Sequence, residues 1–271
     1  MASTSFNPIY GPVPSWQFGQ SLEIDPVGPI STCSFNCIYC HLGNIQHKTS
    51  QRQIFVSTPQ IYRALTDLLP LGAIDVVTLS GSGEPTLALN LGEIIACIKE
   101  QTMVPITVLT NGSLLSDQTV CADLQLADHV VVKLDAISQQ QLQGINQPVA
   151  RLRLKSIFQS ICQFSNSYSG KLTLQTTLSN LWDSQSQAKY IQMIQDILPD
   201  TIQLNVPARP CLKRQQQNAR ENQLSITTFN AEPTLKCIST EYLREFATKI
   251  EACLGIPTNY PTIDVEELRS N

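Results

Sequence analysis

From residue 71 onward the chain alternates short β-branched runs with longer stretches in which apolar residues return every three or four positions. AIDVVTLS (73–80), PITVLTN (105–111), HVVVKLDA (129–136), KLTLQTTL (171–178) and TIQLNVPA (201–208) are each punctuated by Gly, Asn, Asp or Pro, and predict five strands. SLEIDPVG (21–28) supplies a sixth, earlier candidate. Between the strands, Leu89, Ile94, Ile95 and Ile98, then Leu154, Ile157, Phe158 and Ile161, then Ile191, Ile194, Ile197 and Leu198 put one apolar stripe on each intervening helix. Strand, helix, strand at this spacing means parallel strands joined by crossovers. The expected fold is α/β, a partial (β/α)6 TIM-like barrel, because six units are too few to close eight strands. A doubly wound sheet is the rival topology. The expected organisation is a core over residues 1–210 and a C-terminal extension over 211–271, with the polar stretch Lys213 to Asn222 as a loop.

Alternation within the strands says which face looks inward. Leu172, Leu174 and Leu178 oppose Thr173, Gln175 and Thr177; Ile202, Leu204 and Val206 oppose Gln203 and Asn205; Val130, Val132 and Leu134 oppose Val131, Lys133 and Asp135. The apolar helix stripes need the apolar strand faces, so the polar faces point into the barrel. Burying unpaired amides or a lone lysine in a packed centre costs about 1–3 kcal/mol per group. The inner face is therefore expected to line a wet or ligand-filled cavity, with a self-satisfied polar network as the alternative.

Composition narrows the partners. The chain has 271 residues, 42% hydrophobic and 15% charged, which is a globular balance. Its formal net charge is -4, which argues against a surface built to neutralise a long phosphate backbone. A small-molecule substrate is favoured over RNA; the basic spots at Arg151, Arg153 and Lys155 and at Lys213 and Arg214 read as solvated surface. The first residues lack a basic segment followed by an apolar run, and no stretch nears 18 consecutive apolar residues. The expected setting is cytoplasmic, with no membrane partner.

Nine cysteines, an odd number without framework spacing, argue against structural disulfides. Cys97, Cys121, Cys162 and Cys253 fall in helical apolar patterns and are expected to be buried, inert thiols. CSFNCIYC (33–40) differs: Cys33, Cys37 and Cys40 are spaced C-x3-C-x2-C on what should be a loop after a strand. A structural zinc ion takes four protein ligands. A three-thiolate iron–sulfur cube leaves one iron open. His41 directly follows Cys40 and is an awkward fourth ligand.

C-x3-C-x2-C with Tyr39 before the last cysteine resembles the signature of radical S-adenosylmethionine (radical SAM) enzymes, and three further segments fit. LSGSGEPTL (79–87) is similar to the family's glycine-rich segment, TVLTNGSLL (107–115) to its third-strand motif and KLDA (133–136) to its fourth. YGPVPS, INQP (145–148) and QLNVPARP (203–210) resemble a group of small stand-alone radical SAM proteins related to wyosine-type tRNA-modifying synthases. The resemblance implies a [4Fe-4S] cluster on Cys33, Cys37 and Cys40, with SAM on its open iron. It implies SAM contacts at Tyr39, Ser80, Gly81, Ser82, Gly83, Glu84, Pro85, Asn111, Lys133 and Asp135. Gln175, Thr177, Gln203, Asn205 and Arg209 are the substrate candidates. Glu84 either accepts from the SAM ammonium or caps the following helix, and Tyr39 either walls adenine or packs the loop. The implied reaction is reductive cleavage of SAM to a 5′-deoxyadenosyl radical that takes hydrogen from an unidentified substrate, with a ferredoxin or flavodoxin as electron donor.

The chain also departs from that subgroup. Trp16-Gln17 stands where a pair of arginines is expected, and Gln20 and Glu23 where a basic and a small residue are usual. No cysteine precedes Cys33, whereas archaeal wyosine synthases carry a second cluster there. A tRNA-modifying enzyme, a glycyl-radical activase and a non-enzymatic iron–sulfur or zinc module remain alternatives. Cys211 is a candidate redox or relay thiol, and Cys237 a neighbour at the cavity mouth.

Overall fold

The computed structural model describes residues 6–207 and 238–262. All six expected strands form, as β2 (Gly19–Ile24), β5 (Val76–Leu79), β6 (Ile106–Thr110), β7 (His129–Lys133), β8 (Lys171–Thr177) and β9 (Thr201–Asn205). These six lie side by side in chain order and pair in parallel, each with the next. The sheet curls into a partial barrel, so the doubly wound alternative is set aside.

Two strands extend the sheet beyond that expectation. YGPVPS belongs to β1 (Ile9–Ser15), which pairs antiparallel with β2, and β10 (Thr258–Asn259) pairs parallel with β9. The order is β1-β2-β5-β6-β7-β8-β9-β10, while β3 (Thr32–Cys33) and β4 (His47–Lys48) make a separate parallel pair. Helices α1 (Thr58–Thr66), α2 (Leu91–Gln101), α3 (Gln118–Leu124), α5 (Leu154–Ser167), α6 (Ser184–Ile197) and α7 (Thr240–Leu254) cover the outer face; a short α4 (Gln139–Gln141) runs into a π turn at Leu142–Asn146. Strand residues Val130, Val132, Leu172, Leu174, Ile202 and Leu204 meet helix residues Ile157, Ile161, Ile194 and Ile197 in one continuous core. Each such side chain contributes about 1.5–3 kcal/mol on burial.

The helix stripes hold with two corrections. Leu89 lies ahead of α2 and is 55% exposed, its place taken by the buried Leu91. Leu198 is 66% exposed because it sits past the end of α6 in the left-handed region, where the chain turns away from the core. The cysteine expectation holds only for Cys97: Cys121 and Cys162 are half-buried and Cys253 is exposed, because α7 turns that position to solvent. Cys211 and Cys237 lie outside the described residues.

The inward polar face forms as the alternation requires. Lys133, Gln175 and Gln203 are in register across β7, β8 and β9. They are linked by hydrogen bonds, Lys133 Nζ to Gln175 at 3.3 Å and Gln175 Nε2 to Gln203 at 3.1 Å. The tip of the β1–β2 hairpin folds over this face: Phe18 meets the His129 ring edge-on at 5.8 Å, and Gln17 donates to Asn205 at 3.4 Å. The network alternative thus describes part of the wall.

Candidate functional site

Cys33 ends β3, and Cys37 and Cys40 follow in an irregular loop, all three half-buried and none in a disulfide. Backbone pairing fixes this loop from three sides. On one, Thr32 bridges the glycine-rich segment, its N–H to Ser82 O at 2.9 Å and its carbonyl accepting from Glu84 N at 3.0 Å. On another, β4 supports it through Thr49 N to Cys33 O at 3.0 Å. On the third, Asn36 N and Ile38 N donate to Asn146 O and Ile145 O, both at 2.9 Å.

The glycines have a role that the spacing did not specify. A Cβ on Gly83 would stand 1.7 Å from the Thr32 carbonyl oxygen, and one on Gly81, at φ +97°, would fall 2.4 Å from the Asp25 carboxyl carbon. Here the close approach is to the backbone of the cysteine loop at Gly83 and to the Asp25 side chain, just past β2, at Gly81. Asp25 accepts from Val27 N, Gly28 N and Ser82 Oγ at 2.6–3.0 Å, and Ser80 donates to Glu23. Burial pushes both carboxyls above their ordinary range. Ser80 and Ser82 are therefore engaged with acids on β2 and just past its end.

Glu84 is buried, and its carboxylate accepts from Thr86 N at 3.2 Å, Thr86 Oγ1 and Thr110 Oγ1 at 2.6 Å, and Asn111 N at 2.7 Å. This is the capping arrangement, closing the 3-10 turn Pro85–Leu87 and tying β5 to β6. Desolvation raises its pKa. Asn111 turns its amide to Ser34 Oγ at 2.9 Å and Cys33 Sγ at 3.5 Å. Tyr39 donates its hydroxyl to Asp135 and lies under Lys133, whose Nζ is 5.1 Å from the ring centroid, so it packs the loop against the end of β7. Burial, with Asp135 beside it, raises its phenol well above the ordinary range. Asp135 also accepts from Thr177 N at 2.7 Å and lies 3.7 Å from Lys133, which reaches Thr177 Oγ1 at 3.1 Å. Gln175, Thr177, Gln203 and Asn205 thus join Lys133 and Asp135 in one wall; Arg209 lies outside the described residues.

Two contributors escaped the sequence reading. Asn146 appears in INQP only as part of a likeness, yet its amide donates to Cys37 Sγ at 3.3 Å and to Asp135 at 2.7 Å. What presents it is the π turn and Gln147 in the left-handed region, at φ 46°, which no residue type there announces. Arg52 clamps the segment after the loop, donating to Thr86 O at 3.1 Å and Ala88 O at 3.0 Å while pairing with Asp123 at 2.6 Å.

The donor set fits a three-thiolate iron–sulfur group. Burial raises the Cys33 thiol and pushes Cys37 up to about 12, so two anionic sulfurs there need a bound cation, and amide N–H donors already face both. Among the described residues no three His, Cys, Asp or Glu side chains converge as ligands of one metal ion. Next to the thiols, Phe35, Asn111, Lys133, Asp135 and Asn146 line a pocket, and the buried Oδ1 of Asn146 has no hydrogen-bond partner. That orphaned acceptor beside a cation and a carboxylate is a place for one hydrogen-bond donor, from a water or from a ligand.

A Radical SAM superfamily profile matches residues 27–161, which hold the cysteine loop, the glycine-rich segment and β5 to β7. A UPF0026 protein of Synechocystis sp. is 43% identical over 265 residues, covering 97% of this chain and 99% of the relative. A UPF0026 protein of Methanocaldococcus jannaschii is 32% identical over 206 residues, 74% of this chain and 64% of that one. Among solved structures, a radical SAM methyltransferase from Sphaerobacter thermophilus superposes with a TM-score of 0.61 at 13% identity, over 91% of this chain and 67% of its own, a likeness of fold. Matched almost end to end by one such relative, and carrying the three-cysteine loop within the matched profile, the chain belongs to the UPF0026 family of the radical SAM superfamily.

Proposed function

We propose that Cys33, Cys37 and Cys40 hold a [4Fe-4S] cluster, that SAM binds beside it, and that the substrate is a small polar molecule seated on the inner face of β7 to β9. When bound, this pair of cofactors supplies one-electron cleavage of SAM to methionine and a 5′-deoxyadenosyl radical, which takes hydrogen from the substrate. The observation that carries the reading is the loop itself: three thiols outside any disulfide, at the end of β3 and after it, next to the glycine-rich segment, with Asn111 and Asn146 amides donating to two of them. Those donors stabilise thiolate charge and fix sulfur orientation. Asn146 Oδ1 and Asp135 offer acceptors for ribose hydroxyls or the SAM ammonium, and Lys133 a donor. The β1–β2 hairpin tip, through Phe18 and Gln17, keeps water from the floor of the same cavity. The ladder Lys133, Gln175, Gln203 presents amide groups at fixed spacing, which suits a small polar substrate better than a polynucleotide.

Anaerobic reconstitution with iron and sulfide, followed by dithionite and SAM, tests this by assay of 5′-deoxyadenosine. The parent protein yields product and Cys37→Ala yields none. Equal yields from the two would refute the assignment.

A further inference from the structure

The inner face carries an acid to which the proposed reaction gives no role. Leu22 and Ile24 of β2 enter the core under the helices, so Ser21 and Glu23 point the other way, into the barrel. Glu23 stands opposite Thr78 of β5 and is half-buried. Its two carboxylate oxygens are held separately, one accepting from Ser21 Oγ at 2.8 Å and the other from Ser80 Oγ; Ser21 also bonds Thr78 Oγ1 at 2.7 Å. All of these partners are neutral hydroxyls. The other buried acids near the site are better supplied. Asp25 has two backbone N–H groups and Ser82, Glu84 has two N–H groups and two hydroxyls, and Asp135 has Lys133 at 3.7 Å. Among the described residues no Lys, Arg or His forms an ion pair with Glu23. Across the concave face, in strand order, come Leu109 and Val131, in register on β6 and β7 and outside the helix-covered core, and then the ladder Lys133, Gln175, Gln203.

We infer that Glu23 is a specificity-determining residue of the substrate site and that the substrate carries a protonated amine, for which Glu23 is the counter-ion. This rests on the function proposed above and adds the substrate's charge and where that charge sits. A carboxylate drawn out of water is stabilised far more by a cation that also donates hydrogen bonds than by hydroxyls alone. Each Glu23 oxygen accepts one bond and has capacity for another, which suits an ammonium with its three donors. Burial already pushes this carboxyl above its ordinary range, and a bound cation would bring it down. The amine end then lies on β2, the body of the molecule crosses Leu109 and Val131, and the amide ladder takes the far end. SAM also bears an ammonium, but Asn146 Oδ1 and Asp135 offer it acceptors beside the cysteine loop. A carboxyl that simply closes its own hydroxyl network would show no preference between an amine and an alcohol.

The test uses the reconstituted, SAM-loaded protein and probes that share a butyl group, n-butylamine, 1-butanol and pentanoate, at constant ionic strength. Affinity is read from the concentration-dependent rise in Tm that a ligand of the folded state produces. The parent should bind n-butylamine about tenfold or more tightly than 1-butanol, as one charged hydrogen bond requires, and pentanoate more weakly still. Glu23→Gln keeps the shape and removes the charge, and should bring n-butylamine to the level of 1-butanol; Glu23→Asp should recover part of the preference. Glu245→Gln, exposed on α7, should bind as the parent does. SAM affinity of Glu23→Gln, by equilibrium dialysis, should stay parental. Equal affinity of the parent for amine and alcohol, an amine preference that survives Glu23→Gln, or a matching loss of SAM affinity would each overturn the assignment. The first of these needs no variant, so it decides the matter even if Glu23→Gln does not fold. Absence of 5′-deoxyadenosine from the parent with dithionite would overturn the reaction instead, whatever the probe preference.

Discussion

Replacing Gly83 with alanine tests whether the glycine-rich segment serves first to seat the cysteine loop. The added Cβ would meet Thr32 O at 1.7 Å, Thr32 C at 2.6 Å and Thr32 N at 3.1 Å, all of them backbone atoms that no rotamer change can move. Relief requires β3 to shift, which breaks the two hydrogen bonds that Thr32 makes with Ser82 and Glu84. Two lost backbone bonds at about 1 kcal/mol each, with about 1 kcal/mol or more of overpacking, give roughly 3 kcal/mol. For a chain of this size that is a fall of roughly 6–12 °C in Tm. Cys33, next in sequence to Thr32, moves with it, so iron retained per chain after reconstitution should fall as well. Gly144→Ala is the control, since nothing lies within 4 Å of a Cβ there. Thermal melting of the metal-free protein and iron content of the reconstituted one provide the readouts. A Gly83→Ala protein that melts with the parent and holds parental iron would refute the close-approach argument.

Two other perturbations test the frame around the site. Desolvation, aided by Lys171, holds the His129 imidazole down at about 4, so on acidification the unfolded chain binds a proton near pH 6.5 that the folded one refuses until about pH 4. Discounted for its remaining solvent contact, this should cost the parent about 1–2 kcal/mol of stability as pH falls from 6.5 to 4; urea melts of His129→Gln that lose just as much over that interval would sink the claim. Phe246 on α7 is buried among Trp182, Tyr190 and Tyr242, with ring centroids 5.8–6.3 Å away. Phe246→Ala should therefore cost about 3–5 kcal/mol, visible as a single lowered urea midpoint, whereas an unchanged main transition would mean that α7 contributes little to the core.

The six core strands and their parallel order were legible because β-branched runs and helical stripes are local patterns, and only one stacking buries both apolar faces. The same alternation disclosed that Lys133, Gln175 and Gln203 face inward. The cysteine spacing made this loop the candidate metal site, since three thiols that close together can share one centre only on an irregular loop, and the structure places them on one. Other features depend on contacts between residues far apart in the chain. β1 carries two prolines and a glycine and entered the sequence reading only as a likeness, yet it becomes a strand by pairing with β2. Asn146 reaches Cys37 across 109 positions because Gln147 adopts a left-handed backbone. Glu84 could face a ligand or cap a turn by sequence; Thr86, Thr110 and Asn111 close around it only once β5 and β6 are side by side. Periodicity and spacing determined the elements and the chemistry on offer, because those depend on near neighbours. Which groups satisfy one another, and which acceptor is left for a ligand, was decided by packing, because a buried polar atom takes whatever partner the fold brings within hydrogen-bonding distance.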